Sequence, residues 1–138
     1  MPVSHNVIVI GLFVATDLVV IPLIIRTIVN GSWGELQNAF PARPVAGGAV
    51  LREFQSLRIG TANFGGCVHI AVDEACLHLL PAMFIRWFGA GPVSIPWESL
   101  TEVRRTSRGR FAEAVAGRKR LTAPAWALEL AEPGRESA

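Results

Sequence analysis

Residues 67–80 read CVHIAVDEACLHLL, two short β-rich runs (Cys67–Val72 and Cys76–Leu80) around the polar turn Asp73-Glu74-Ala75. Alternating apolar residues interrupted by a short acidic turn are the signature of a β-hairpin. With a period of two, Val68, Ile70 and Val72 share one face, and Leu77 and Leu79 meet them across the ladder, which predicts a half-buried hairpin. The same stretch carries a chemical pattern. Cys67-Val68-His69 and Cys76-Leu77-His78 repeat a C-x-H unit nine residues apart. The turn brings His69 and His78 to one face with Cys67 two residues away. Two imidazoles and a thiolate are zinc-binding chemistry, so Cys67, His69, Cys76 and His78 are the metal candidates. Against this, side chains two apart on a strand are separated by about 6.5–7 Å, wider than a tetrahedral site prefers. A partly buried thiol and a hydrogen-bonded histidine are the competing reading, and no cofactor is expected.

Working outward, Val50–Gly60 reads as a strand and the glycine-rich Gly60–Gly66 as a turn. Phe84–Phe88 and Val93–Trp97 read as two further strands joined by Gly89-Ala90-Gly91, with Pro92 and Pro96 keeping the second at an edge or strand end. Phe111–Ala116 regains apolar character after a basic stretch. Thr122 then stands as the N-cap of a helix over 123–132, with Pro124 in its first turn and Pro133 at its end. On the amino-terminal side, Ser32 and Glu35 form an S-x-x-E capping box that predicts a short helix. Its Trp33, Leu36 and Phe40 fall on one side, where they either anchor at a membrane surface or pack into the core. Pro41, Pro44, Gly47 and Gly48 mark a loop. The predicted fold is α+β and mostly β: a small antiparallel barrel or half-open sandwich over 31–132, closed by a C-terminal helix and followed by a polar tail, 133–138.

Residues 1–30 form a segment of different character. Val7–Ile25 contains 14 Val, Ile, Leu or Phe in 19 residues and one charge, Asp17. At 1.5 Å per residue it is about 28 Å long, close to the thickness of a bilayer's hydrocarbon core. A central carboxylate costs about 2.5–3.5 kcal/mol, whereas fourteen large apolar residues return about 4–8 kcal/mol, so insertion wins. A cleaved signal peptide fits poorly, because residues 1–6 hold no Lys or Arg and no A-x-A cleavage site follows. A soluble core helix would keep a polar stripe, and this one is apolar all round. Arg26, Arg43, Arg52 and Arg58 all follow the span, which predicts an outside N-terminus and a cytoplasmic domain at the cell inner membrane. With only Cys67 and Cys76 in the chain, a reducing compartment agrees.

Trp33-Gly34-Glu35-Leu36, Phe40-Pro41, Asn63-Phe64, the hairpin, and above all Ile95-Pro96-Trp97-Glu98-Ser99-Leu100 resemble a group of small bacterial single-pass membrane proteins. Members of that group carry a cytoplasmic domain similar to the pleckstrin-homology fold. The resemblance spans roughly residues 30–105, with I-P-W-x-x-L its most specific part. It departs at Cys76, where a turn glycine is usual, and at Gly89-Ala90-Gly91-Pro92, which replaces a more polar loop. It implies a fold and a location but no chemistry.

Among 138 residues, 51% apolar and 17% charged with a net charge of +2, disorder and a whole-chain nucleic-acid binder are both excluded. Charge is local instead. Arg104, Arg105, Arg108, Arg110, Arg118, Lys119 and Arg120 stand against Glu102 and Glu113 between residues 101 and 120. With Trp33 they are the candidate membrane-surface residues, facing anionic lipid headgroups, the competing reading being a solvated loop. Asp17 marks either a self-association contact that makes the span a homo-oligomer interface or a tolerated acid. No G-x-S-x-G, P-loop, G-x-G-x-x-G, H-E-x-x-H or C-x-x-C occurs, and no Ser, His and Asp set stands at recognisable spacing. The expectation is a non-enzymatic, membrane-anchored protein whose domain binds a protein partner or the anionic surface. The alternative is a small tethered metal-binding protein or enzyme built on the Cys/His hairpin.

Overall fold

The computed structural model describes residues 4–106 and 109–131. Its first element, α1 (His5–Ala39), is one helix of 35 residues. It is long and apolar enough to cross a membrane, and none of its most apolar 18-residue window is buried within the protein. The helix passes uninterrupted through Asn30-Gly31-Ser32, so the predicted second start at Ser32 does not occur. The Ser32 hydroxyl bonds back to the Ile28 carbonyl at 2.6 Å instead of capping a new helix. A propagating helix needs no second nucleus, and a serine in its interior takes the carbonyl four residues back. Docking completes the explanation: Val29, Ser32, Trp33 and Leu36 are buried against the domain.

Seven antiparallel strands follow: β1 (Val50–Ile59), β2 (Ala62–Val72), β3 (Cys76–Pro81), β4 (Val93–Pro96), β5 (Leu100–Arg105), β6 (Phe111–Ala116) and β7 (Lys119–Pro124). They form one nearly closed sheet in the order β4-β3-β2-β1-β7-β6-β5. The two end strands are consecutive in the chain, linked by a single 3-10 turn, Trp97–Ser99. The hairpin has the expected register, with Val72 opposite Leu77, Ile70 opposite Leu79 and Val68 opposite Pro81. Its inner face joins Leu57, Ile59, Phe64, Val93, Ile95, Leu121, Leu128 and the helix residues Trp33 and Leu36 in one core.

Three segments differ from their sequence reading. The turn expected over Gly60–Gly66 shrinks to Gly60-Thr61, and the remaining glycines lie inside β2. There the register shifts between Gln55 and Leu57, and Gly66 takes φ +69°, which lets the strand bulge at low steric cost. Phe84–Phe88 is not a strand: after Pro81 the chain leaves the sheet, and α2 (Met83–Arg86) forms a single turn with only Ile85 buried. The C-terminal helix is replaced by β7 and a 3-10 helix, Ala125–Ala131. Thr122 pairs with Glu113 across the ladder instead of capping a helix. Sheet pairing overrides the helical propensity of the alanine-rich stretch. The 3-10 helix still serves the core, burying Ala127 and Leu128. It also fastens β1, because the Trp126 indole donates to Gln55 at 3.3 Å and stacks under the Arg52 guanidinium at 4.4 Å.

Candidate functional site

The hairpin does not collect the four metal candidates. His69 and His78 lie on the face of the ladder opposite the core, His78 across from Ala71 and His69 from Leu80. Each, however, is committed elsewhere. His69 Nδ1 accepts the Phe54 backbone N–H at 3.1 Å, and the two rings meet edge to face at 4.8 Å. Phe54 stands in the left-handed region, φ +51°, where β1 shifts register, so His69 supports that strained bulge. Cys67 sits half-buried with its thiol donating to the Gly65 carbonyl, and burial pushes that thiol's pKa up. A raised pKa disfavours the thiolate a metal requires.

His78 belongs to a different cluster, centred on Asp73. The side chains of Asp73, Cys76 and His78 are buried, and their ligand atoms lie within 4.8 Å of one another. This is the only metal-sized His/Cys/acid group among the described residues. Its Asp73 and His78 ligand atoms are nonetheless already engaged. Asp73 Oδ1 accepts the N–H groups of Ala75 and Cys76 at 2.8 and 2.7 Å; Oδ2 accepts Ala46 N–H at 3.2 Å and meets His78 Nε2 at 2.6 Å. On the far side of the ring, His78 Nδ1 lies 2.7 Å from Ser94 Oγ, which accepts the Arg43 N–H at 2.8 Å. A metal here would have to displace most of these bonds.

Burial raises the Asp73 carboxyl, but the bonds from His78 and from the Cys76, Ala46 and Ala75 backbones together outweigh it. They hold the group well below the usual carboxylate range. An ionised carboxylate only accepts, so the hydrogen between the two side chains is carried by His78 Nε2, which donates to Asp73 Oδ2. Every group in the chain Arg43–Ser94–His78–Asp73–Ala46 is then satisfied. Both ends are backbone N–H groups of the segment 41–48, which crosses the outside of β3 and β4 as a strap. It begins where Phe40 and Pro41 pair with the edge of β4.

This Ser–His–Asp set is one the sequence reading did not find. Its signal is cross-strand, because His78 faces Ser94 only once β3 is paired with β4. The order acid, imidazole, hydroxyl resembles a nucleophile and its base. Ser94 is 2% exposed and His78 1%, however, and the Ser94 hydroxyl is sealed beneath the strap. The chain therefore works as a tie. Trp97 of the I-P-W stretch closes it from the other side, its indole donating to the Asp73 carbonyl at 2.8 Å and its backbone N–H to Ala75.

The candidate surface residues fare unevenly. Trp33 is 0% exposed, packs edge to face on Phe64 at 5.6 Å and donates to the Gly91 carbonyl at 2.7 Å. Of its two possible roles the structure takes core packing, since the helix carries it under the sheet and not along a membrane surface. Arg104 makes two bonds to Glu113 Oε2, and Arg120 reaches the same oxygen at 3.6 Å. Lys119 pairs with Glu35 of α1 at 3.1 Å, and Arg105 lies 3.9 Å from Glu129. Arg110 and Arg118 are exposed. Arg108 lies outside the described residues, as does the tail 133–138. Glu35 and Glu129 come from outside the basic stretch, so folding offsets part of a charge that looked uncompensated along the chain. Asp17 sits half-buried on an otherwise exposed stretch of α1.

In comparisons with known proteins, no family model matches the chain, and no curated protein or solved structure matches it.

Proposed function

We propose that the chain is a non-enzymatic single-pass protein of the cell inner membrane, with its N-terminus outside, that presents a pleckstrin-homology-like domain in the cytoplasm as a docking module for a protein partner. The observation that carries this reading is α1 itself. One unbroken helix is apolar and unburied over its first half and built into the core of the β-domain over its second. A free apolar surface of that length favours a lipid surrounding, and the continuous helix then holds the domain at a fixed distance from the bilayer. The pleckstrin-homology-like assignment is supported by the strand order, the single sheet bent until its end strands are consecutive, and the 3-10 helix across β1.

The basic stretch suits an acidic partner better than lipid headgroups. Lys119 is held at Glu35, ten residues beyond Ile25 and so about 15 Å further along the helix axis. Beyond a headgroup zone of about 5–7 Å this leaves about 8–10 Å, roughly a Debye length at physiological salt, over which attraction to the anionic surface is weakened. Self-association through Asp17 is part of the same reading. Alkaline carbonate extraction tests it: the chain stays in the membrane pellet, and a reporter fused at the C-terminus is active only in the cytoplasm. Release of the intact chain into the supernatant, or a reporter active outside, ends the reading.

A further inference from the structure

The segment after α2 is laid along α1 in a definite direction. A Cβ at Gly89 would stand 3.6 Å from Asn30 Oδ1; Gly91 bonds through its carbonyl to Trp33 and through its N–H to Gln37; Ser94 N–H bonds to the Phe40 carbonyl. Each step from 89 to 94 therefore moves along the helix away from the apolar span. Followed backward, the chain moves toward it, and the residues met there are α2 and Trp87. Met83 is 67% exposed, Phe84 44% and Trp87 76%, with exposed Arg86 among them. Ile85 alone is buried, fixing the turn so that the others face outward.

The level of this patch follows from helix geometry. Asn30 is five residues past Ile25, about 7.5 Å along the axis. The headgroup zone on each side of a bilayer is about 5–7 Å deep, so Asn30 stands at its outer edge; Leu79 of β3 pairs with Val93 of β4, so the β3–β4 connection that carries α2 lies at the end of these strands facing the span. Arg26 precedes Asn30 by one turn on the same stripe of α1. The exposed Ile24, Ile25 and Ile28 make the apolar surface continuous with the span. A tryptophan and a phenylalanine flanked by arginine at this depth match the composition of membrane interfaces.

We propose that Met83, Phe84 and Trp87 insert into the acyl–headgroup boundary of the leaflet from which α1 emerges, with Arg86 among the phosphates, so that the domain rests on the bilayer at a second point. This rests on the membrane-anchored reading above. Two-point attachment fixes the rotation of the domain about α1, which a single helix leaves free, and so decides which face of the sheet a partner meets.

The test uses the full chain in vesicles of phosphatidylcholine and phosphatidylglycerol whose acyl chains are either ordinary or brominated near the headgroup, where bromine quenches nearby indoles. Wild-type emission falls in the brominated vesicles, and Trp87→Phe removes most of that fall. The substitution touches an exposed side chain and leaves the core intact. A second variant, Trp87→Phe with Phe13→Trp, reports the span alone. If the indole at position 13 is quenched while wild type and Trp87→Phe respond equally, the anchoring stands and this inference is overturned, the patch then belonging to a protein contact. If neither position is quenched, the anchoring reading fails and takes this one with it.

Discussion

Asp73 shows how much of the architecture one side chain can hold. Its carboxylate receives two backbone N–H groups of its own turn, one from the strap and the ring of His78, while its carbonyl receives Trp97. Asp73→Ala leaves these donors unpartnered in a buried place and is expected to cost about 3 kcal/mol, read as lower denaturant stability of the detergent-solubilised chain. Ser94→Ala removes only the middle of the tie and should cost about 1–2 kcal/mol, because Arg43 N–H and His78 Nδ1 each lose one partner. The carboxyl is depressed in the folded state, so its contribution is complete above the ordinary carboxylate pKa of about 4 and is lost as the pH falls through and below it. Wild-type stability should accordingly begin to drop below about pH 5 and keep falling well below about pH 3, more steeply than that of Asp73→Asn; parallel pH profiles would show that Asp73 is not the group responsible. Little of this was legible in the sequence. The turn and the faces of His69 and His78 were, because they follow from period two. The Ser94 partner was not, because it depends on which strand pairs with β3. The assignment of Trp33 to the core likewise needed the tertiary docking of α1.

At the scale of elements, local pattern succeeded where pairing was adjacent and failed where a distant element decided the outcome. The β2–β3 hairpin, the edge position of β4 and the loop after Phe40 were all legible. Ser32-Glu35 satisfied a capping pattern, yet the helix ran through it, because docking of Val29, Trp33 and Leu36 stabilises the uninterrupted form. Residues 123–132 had helical composition, but β6 offered a ladder for their first part. The joint between α1 and the loop before β4 offers a direct test. A Cβ at Gly91 would lie 2.7 Å from Gln37 Nε2 and 3.1 Å from its Cδ, on the amide that accepts the Gly91 N–H. Gly91→Ala is therefore expected to destabilise the chain by about 1–2 kcal/mol, through the displaced amide and its lost bond. Gln37→Ala should cost about 1 kcal/mol, and the double variant should be no less stable than Gln37→Ala alone. Additive losses in that double-mutant cycle would place the strain of Gly91→Ala elsewhere.

For the whole molecule, the question is where the apolar segment of α1 ends and the domain begins. A boundary between residues 30 and 31 follows from composition, because Asn30-Gly31-Ser32 ends the apolar run. Packing places the division earlier, since Val29 is already buried in the core. Trp33 and Leu36 are buried completely, and truncating side chains of these types costs about 3–5 and 2–5 kcal/mol in well-packed cores. Their joint loss is comparable with the whole stability of a typical domain, about 5–15 kcal/mol. Residues 26–39 form a helix too short to persist alone in water, so it and the sheet depend on each other. A chain begun at Arg26 keeps all four buried helix residues while discarding Val7–Ile25; it should be soluble, protease-resistant and unfold in one sharp transition. A chain begun at Asn38 loses all of them and should be degraded by the same protease at concentrations the longer fragment survives. Equal resistance of the two fragments would mean that the sheet closes without the helix, and that α1 is a tether and not a structural member of the domain.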